Sequence, residues 1–413
     1  MTHKQTITFK DDIHGQVLME KKYLPYIDNR IFQRTRNLKQ LGFTHYVFHG
    51  ATHTRFEHSI GVFHITNKMC DFLKIKEENK ELINLGALCH DLGHGAYSHV
   101  YESYIRKYHN PMYDHEQMSL FLFDKMIDEN HIDLDKPKIN FVHDVITGNP
   151  SKPQQTEFEQ TQYLYQIVAN NKTNIDTDKF DYITRDSHKI GVFHQCDYER
   201  IIYNSAIDST GNISYYANCQ NDIYNLFDSR YKLFKCVYGH NVTKALELMF
   251  FDVLKKYNVE FKISSNNHDL DFFINSMNDS ILDIIKYKYP KDELIKKICK
   301  RDLYKVVFST EVDKKCLTIA KEFENCVWSD KIRVDTMKIE HSKNKETPLS
   351  NVTFLNKSNS LCNVYENDKK NYKKYLFRVY VTDEKYRKEV LSYIQTQLKY
   401  LNNKYALGWH TFD

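Results

Sequence analysis

The seven residues at 89–95, CHDLGHG, constrain the fold of this chain more than any other stretch. They place a His-Asp pair and a second histidine beside two glycines, at the end of an apolar run. Residues four apart on a helix share a face, so His90 and His94 are expected to face one cleft, which Asp91 reaches from its side. The glycines carry no side chain that would keep a ligand from the backbone. A metal site is one interpretation, and a helix end with locally satisfied polar groups is the other.

Two further stretches offer the ligands that such a metal site would need. Imidazole nitrogen and carboxylate oxygen together suit a borderline divalent metal, and a His-Asp pair supplies only part of its coordination. His58 lies on the predicted helix before this pair, and Asp178 lies on a predicted helix well after it. Spacing alone does not choose Asp178 over the neighbouring acids Asp176, Asp181 and Asp186. The donor set would accept iron, manganese, zinc or nickel.

Histidine is distributed unevenly along the chain: fourteen of the 20 lie before residue 150, so we expect the chemistry there. The net charge of +4 is too small to predict nucleic-acid binding by itself. The N-terminus has no apolar signal segment, and no stretch is long and apolar enough to cross a bilayer. Nine cysteines without a C-x-x-C spacing predict reduced thiols. We therefore expect no membrane partner and an intracellular location, cytoplasmic or nuclear.

Helical periodicity dominates the chain, for example at 29–43, at 54–75 and in the closing segment from residue 383. The region 163–191 predicts a helix, a polar turn and a second helix that ends at Gly191. Three segments alternate as strands do, at 212–218, 305–310 and 374–383. A polar stretch at 341–374 predicts a loop. We therefore predict a mainly α fold, with a helical domain at 1–315 and a smaller α+β lobe at 316–413.

Six blocks of the sequence resemble the HD-domain phosphohydrolases and, within them, the dNTP triphosphohydrolase family. The blocks lie at 9–15, 27–62, 85–99, 115–117, 174–192 and 226–242, with a fainter match at 376–381. The resemblance covers most of the chain and implies that its helical body is an HD domain. It also implies a metal-dependent enzyme that converts a dNTP and water to a deoxynucleoside and triphosphate. Since the resemblance begins almost at Met1, we expect no SAM domain of the kind that vertebrate members carry.

The resemblance also implies roles for individual side chains. The metal ligands would be His58, His90, Asp91 and Asp178. The phosphate contacts would be Arg55, Lys179, Tyr182 and Arg230. The catalytic group would be His94 and His115 beside the α-phosphate, Glu116 next to them, His99 as the acid for the departing 5′-oxygen, and Glu102 where the family usually has Asp. The deoxyribose contacts would be Gln40, Leu41, Asp186 and Tyr238, the last of which excludes a 2′-hydroxyl.

The resemblance bears on regulation as well. Asp28, Gln33 and Arg36 match positions that read a guanine activator, and Arg200 and His240 match further nucleotide contacts. Other positions at which the family has basic residues are uncharged here: Ile7, Cys219, Asn221 and Cys236. Loss of several cations weakens a triphosphate site. We therefore predict that activation by GTP or dNTPs is altered or absent, and that any homo-oligomer, dimer or tetramer, is held by protein contacts alone.

Two alternatives stay open at this point. The same metal site could serve a nucleotidase or phosphodiesterase of the HD superfamily, although the implied deoxyribose pocket favours a dNTP substrate carrying Mg²⁺ on its triphosphate. The other alternative is a protein that binds nucleotides or single-stranded nucleic acid and keeps the metal site as a relic. Phe234 and Gly239 stand where the family has His and Gln near the substrate, so the resemblance does not fix the base preference.

Overall fold

A β-hairpin opens the fold. The computed structural model describes residues 5–150, 161–192, 196–264, 270–312, 316–340, 347–362 and 373–405. Strands β1 (Thr6–Asp11) and β2 (Gly15–Glu20) pair antiparallel, and Gly15 takes the positive φ of 74° that closes the turn between them. The sequence does not predict this hairpin, because each strand has only six residues and is largely solvent-accessible.

Helices make up most of the remaining described residues, which confirms the mainly α prediction. The first group comprises α1 (Leu24–Ile27), α2 (Arg30–Gln33), α3 (Arg55–Phe72), α4 (Glu77–Cys89), α5 (His99–Tyr108), α6 (His115–Glu129), α7 (Lys136–Thr147), α8 (Thr177–Ile190) and α9 (Tyr198–Tyr203). The second comprises α10 (Gln220–Leu233), α11 (Asn241–Tyr257), α12 (Leu270–Ser276), α13 (Ile281–Lys288), α14 (Glu293–Cys299), α15 (Cys316–Glu324) and α16 (Arg387–Tyr405). Among the described residues, no helix combines the length and the apolar character needed to cross a membrane.

Capping residues fix the ends of the helices that carry the site. Thr54 forms a capping box at the start of α3. Asp176 caps α8 by accepting a hydrogen bond from the backbone N–H of Lys179. The same helix ends at Gly191, as predicted, where a φ of 71° places the residue in the left-handed region. His90 is the C-cap of α4, so the His-Asp pair lies where the chain leaves that helix.

The segment 29–43 is not the single helix that its periodicity predicts. α2 gives way to a 3₁₀ turn at Arg34–Asn37, and the chain then becomes extended. The N–H of Arg55 donates to the carbonyl of Leu38 at 2.9 Å, so pairing with the segment before α3 overrides the local helical preference. The predicted helix that starts at residue 163 is likewise only a 3₁₀ turn, Gln162–Gln166.

Two small sheets complete the fold. One has the strand order β3 (Ser205–Ile207), β4 (Ile213–Tyr216), β7 (Phe354–Leu355), β8 (Leu361–Cys362), and the other has the antiparallel order β5 (Lys305–Val312), β9 (Lys373–Val381), β6 (Ile332–Glu340). The three predicted strands are confirmed as β4, β5 and β9. The predicted division near residue 315 stays a prediction, since β5 before it pairs with β9 after it. Parts of the predicted loop, 341–346 and 363–372, lie outside the described residues.

Helix α3 lies between the two hydrophobic clusters of the helical body. Phe56 belongs to one cluster, and Val62 belongs to the other together with Phe180 of α8. Gly61 allows the two helices to approach closely, because a Cβ at that position would lie 2.0 Å from Oδ1 of Asp181 on α8. The close approach brings polar side chains of α3 and α8 together inside the body.

Candidate active site

Four side chains from three helical segments converge at one point. His58 comes from the middle of α3, His90 and Asp91 from the end of α4, and Asp178 from the first turn of α8. The Nε2 atom of His58 lies 3.3 Å from Nε2 of His90 and 3.1 Å from Oδ1 of Asp178. The carboxylate of Asp91 lies 3.5 Å from each of these two ring nitrogens. The structure therefore brings together the four residues that the family resemblance implies as metal ligands.

Hydrogen bonds on the far side of each ring orient the two histidines. Nδ1 of His58 donates to Oδ2 of Asp181 at 2.8 Å, and Nδ1 of His90 donates to the carbonyl of Ala87 at 2.8 Å. Both rings thus direct Nε2 into the cluster, which is the arrangement that histidine ligands of metals usually adopt. Of the four neighbouring acids, Asp176 caps α8, Asp181 contacts Nδ1 of His58 and Asp186 contacts Tyr238. Asp178 is the one whose carboxylate lies near Nε2 of both His58 and His90.

The charges of the cluster fit a cation. Burial raises the pKa of Asp91, but the nearby Arg55, His90 and His94 outweigh it and hold the pKa well below the ordinary value. Burial lowers the pKa of His58, but hydrogen bonds to Asp178 and Asp181 raise it to about 10. The carboxylates are therefore ionised and attract positive charge to this point. Two imidazole nitrogens and two carboxylates suit a divalent transition metal or zinc, so the residues present fit such an ion.

The turn of the N-terminal hairpin supports the cluster from behind. Nε2 of His14 donates to Oδ1 of Asp181 at 2.6 Å, and Nε of Arg185 donates to Oδ2 of the same carboxylate at 2.9 Å. Arg185 in turn lies 3.0 Å from Asp11. Asp181 and Arg185 are fully buried. Sequence reasoning missed these supporting residues, although the match at 9–15 contains Asp11 and His14 and could have suggested the hairpin turn.

A cavity of about 420 Å³ adjoins the cluster. Eleven of the predicted site residues line it: Gln40, Leu41, Arg55, Asp91, His94, His99, His115, Asp178, Tyr182, Asp186 and Tyr238. Its wall also includes Lys244 and Glu247 of α11 and Met337 of β6, none of which the sequence nominated. A larger groove of about 830 Å³, between α11 and the C-terminal strands, contains none of the predicted site residues. The smaller cavity is therefore the candidate active site.

A second group of histidines lies on the cavity wall. The rings of His94 and His115 stack with centroids 4.2 Å apart, and His99 lies 4.7 Å from His94. Glu102 connects the outer two, since its Oε2 accepts from Nδ1 of His99 and from Nδ1 of His115, both at 3.0 Å. Burial raises the pKa of Glu102, but these hydrogen bonds outweigh it and keep the carboxylate ionised. Glu102 thus orients two imidazoles towards the cavity, and the extra methylene relative to Asp does not prevent this.

Arg55 links the two histidine groups. Its Nη1 donates to Oδ2 of Asp91 at 2.6 Å, and its Nε donates to Oγ of Ser98 at 3.0 Å. The side chain is buried but lines the cavity, so the guanidinium is held where it can meet an anion. At another part of the wall, Oη of Tyr238 donates to Oδ2 of Asp186 at 2.5 Å. This bond fixes the tyrosine ring against the cavity.

Four predicted substrate or catalytic residues do not line the cavity, and one of them is Glu102, which contacts the lining residues His99 and His115. Glu116 is exposed and lines a separate groove, which corrects its assignment beside His115. Consecutive residues on a helix diverge in direction, so a neighbour in sequence is not a neighbour in the site. Lys179 contacts Asp176, with Nζ 2.8 Å from Oδ2. Arg230 donates from Nη1 to the carbonyl of Glu340 at 2.7 Å.

The five residues predicted for nucleotide activation also lie outside this cavity. Gln33 donates to the carbonyl of Ile27 at 2.8 Å and accepts from Nε of Arg36 at 2.8 Å. Asp28 is exposed, Arg200 contacts Asp222 at 2.7 Å, and His240 caps α11. Whether these side chains read a nucleotide stays a prediction.

Comparisons with known proteins agree with this geometry. A family model described as HD domain matches residues 55–136. The chain is 34% identical over 383 residues to the deoxynucleoside triphosphate triphosphohydrolase SAMHD1 homolog of Dictyostelium discoideum, covering 87% of this chain and 73% of that protein. It is 33% identical to an HD domain-containing protein of Acanthamoeba polyphaga mimivirus, over 67% of this chain and 64% of that protein. It is 27% identical to SAMHD1 of Gallus gallus, over 85% of this chain and 66% of that protein. The chain thus spans about two thirds of the length of these relatives.

Proposed function

The chain belongs to the family of SAMHD1-type deoxynucleoside triphosphate triphosphohydrolases, and we propose that it hydrolyses dNTPs to a deoxynucleoside and inorganic triphosphate. The observation that carries this proposal is the continuity of the cavity: Asp91 and Asp178 of the four-residue cluster, the three histidines of the second group and the Tyr238–Asp186 pair line one space of about 420 Å³. Such a space accommodates a phosphate chain at one part of its wall and a sugar at another.

The proposed metal ligands are His58, His90, Asp91 and Asp178. A divalent metal supplies Lewis-acid chemistry and lowers the pKa of water, so that hydroxide is available near neutral pH. Iron, manganese, zinc and nickel all suit the four donors, and Mg²⁺ would accompany the substrate triphosphate. The cluster lies beside Arg55, whose positive charge would stabilise the charge that builds on the α-phosphoryl oxygens.

The histidine group would handle the departing 5′-oxygen. An alkoxide is a poor leaving group, so it needs an acid with a pKa near neutrality, which histidine provides. His99 is the proposed acid, because it lines the cavity with 65% of its side chain exposed while Glu102 holds its Nδ1. His94 and His115 would contact the α-phosphate from the same side, and Lys179 and Arg230 would need to move to reach the phosphate tail.

The sugar end of the cavity supports a preference for deoxyribose. Asp186 accepts from Tyr238 through one oxygen and from Nε2 of His53 through the other at 2.7 Å. Because His53 fixes Asp186 and Asp186 fixes Tyr238, the tyrosine ring would not move aside for a 2′-hydroxyl. Gln40 and Leu41 line the same cavity and would contact the sugar.

Product analysis tests the proposal against its alternatives. We expect purified protein, incubated with each dNTP and Mg²⁺ or Mn²⁺, to release deoxynucleoside and triphosphate, which ion-exchange chromatography resolves. Release of monophosphate would instead support a nucleotidase or phosphodiesterase of the same superfamily. No turnover under any metal would support a binding protein with a relic site.

Nucleotide-driven assembly is expected to be absent or altered. The positions Ile7, Asn221 and Cys236 offer no charge to a triphosphate, and Arg200 is already paired with Asp222. We therefore expect gel filtration to give the same elution volume for the protein with and without GTP and dNTPs. A dimer-to-tetramer shift that requires nucleotide would contradict this prediction.

The remaining partner assignments are proposals of the same kind. A homo-oligomer held by protein contacts, dimer or tetramer, and an intracellular location, cytoplasmic or nuclear, stay predictions. Binding of nucleic acid has only the weak support of a net charge of +4.

A further inference from the structure

One part of the cavity wall is charged, and the proposed phosphate chemistry does not use it. Lys244 and Glu247, one turn apart on α11, line the cavity together with Met337 of β6. Nζ of Lys244 lies 2.6 Å from Oε2 of Glu247. The two side chains are 19% and 15% exposed, and they line the cavity, so a ligand inside it can reach them.

This ion pair retains capacity to bind a further group. An ammonium carries three donors and a carboxylate offers about four acceptor sites, so one contact between them leaves both partly unused. Burial raises the pKa of Glu247, while Lys244 and Arg378 oppose this effect and Asp335 adds to it. Withdrawing an ion pair from water costs free energy that its own attraction does not reliably recover. A polar ligand that contacts both groups would supply the missing hydrogen bonds.

The pair lies close along the chain to the proposed sugar contact. Tyr238 ends a π-helical turn, and α11 begins three residues later. Gly239 lies between this turn and β6 and has no side chain. A Cβ at this position would crowd Met337, because it would lie 3.1 Å from Sδ of that residue. Phe234 adds an aromatic side chain to the same wall. A flat group attached to the sugar would therefore meet an aromatic surface and a charged pair.

We propose that Lys244 and Glu247 form a subsite for the guanine base, which makes dGTP the preferred substrate; this inference rests on the proposed function. Guanine presents two adjacent N–H donors beside the O6 acceptor. The Glu247 carboxylate accepts from both donors, and the Lys244 ammonium donates to O6. Adenine and cytosine present one amino group beside an acceptor nitrogen. Thymine presents one N–H between two carbonyls, and at least one of these repels the carboxylate.

The ratio of kcat/KM for dGTP to kcat/KM for dTTP, measured on the same protein, tests the subsite. We expect kcat/KM of the wild-type protein to be at least about tenfold higher for dGTP than for dTTP, because a bidentate contact to a base edge discriminates by this order. Glu247→Gln replaces one acceptor by an N–H₂ group that opposes the guanine donors. The ratio of kcat/KM for dGTP over dTTP should therefore fall about fivefold or more in this variant.

The ratio is measured within each variant, so a reduced folded fraction cancels. Lys244→Met removes the donor to O6 and should lower the same ratio, which keeps the test open if Glu247→Gln does not fold. The matched control is Glu293→Gln on α14, which weakens an exposed ion pair with Lys296 at 2.7 Å, also one turn apart, and should leave the ratio unchanged. Equal kcat/KM for all four dNTPs, or a ratio that neither cavity variant lowers, would overturn the subsite alone. Failure of the wild-type protein to hydrolyse any dNTP would overturn the proposed function and the subsite together.

Discussion

Replacing His90 and Asp91 together by alanine is expected to lower dNTP turnover by more than about a thousandfold, since the change removes two of the four proposed metal ligands and the partner of Arg55. The measurement is release of deoxynucleoside at saturating dNTP and Mg²⁺. Bound metal, measured by elemental analysis of the purified protein, should fall in parallel. Circular dichroism should retain the helical signal, because both residues follow Cys89, the last residue of α4. The melting temperature should fall, because Asp91 is buried and pairs with Arg55.

The chain offers a matched control for this experiment. His143 and Asp144 form another His-Asp pair, on α7. His143 contacts Asp124 at 2.8 Å, and both residues of the pair line a groove that none of the proposed metal ligands reaches. The double alanine variant of this pair should keep turnover and metal content at the wild-type level. Equal activity of the two double variants would contradict the assignment of His90 and Asp91 to the metal site.

The comparison of these two His-Asp pairs indicates how much of the site could be predicted. The pair at 90–91 stands beside glycines and a further histidine, whereas the pair at 143–144 continues an ordinary helix. Local sequence therefore distinguishes the proposed metal-ligating pair from the pair at 143–144. The choice of Asp178 did not follow from local sequence, because four acids at similar spacing differ only in what they contact across the fold.

The parts of the site that the sequence did not predict depend on contacts between distant segments. His14 and Asp181 are 167 positions apart and meet only because the hairpin packs against α3 and α8. Met337 reaches the cavity because β6 pairs with β9 in the C-terminal sheet. Hydrophobic periodicity describes one segment at a time and carries no information on contacts between distant segments. The mainly α fold and the three strands, by contrast, are local patterns, and these predictions were confirmed.

Asp181→Asn is expected to weaken metal binding by about 10- to 100-fold, the usual cost of removing a group that orients a histidine ligand. Nδ1 of His58 donates to Oδ2 of Asp181 at 2.8 Å, so the carboxylate fixes which ring nitrogen faces the cluster. The amide keeps the volume of the side chain but loses its charge and half of its acceptor capacity. Titration of the metal-free protein with Mn²⁺, followed by calorimetry, measures the change in affinity directly.

The same substitution also bears on stability, and the two effects separate experimentally. Asp181 is fully buried and contacts His14 and Arg185, so loss of its charge leaves a buried guanidinium with a weaker partner and costs about 3–5 kcal/mol.

His14→Gln is expected to lower metal affinity less than Asp181→Asn, because it keeps both the carboxylate and its contact to His58. The control Asp124→Asn changes the acid that holds His143 on the surface in the same way. If Mn²⁺ affinity were equal in Asp181→Asn and Asp124→Asn while both remained folded by thermal melting, Asp181 would be a structural residue only. A selective loss of affinity in Asp181→Asn, smaller in His14→Gln, would establish that the hairpin and α8 together orient the histidine that faces the metal.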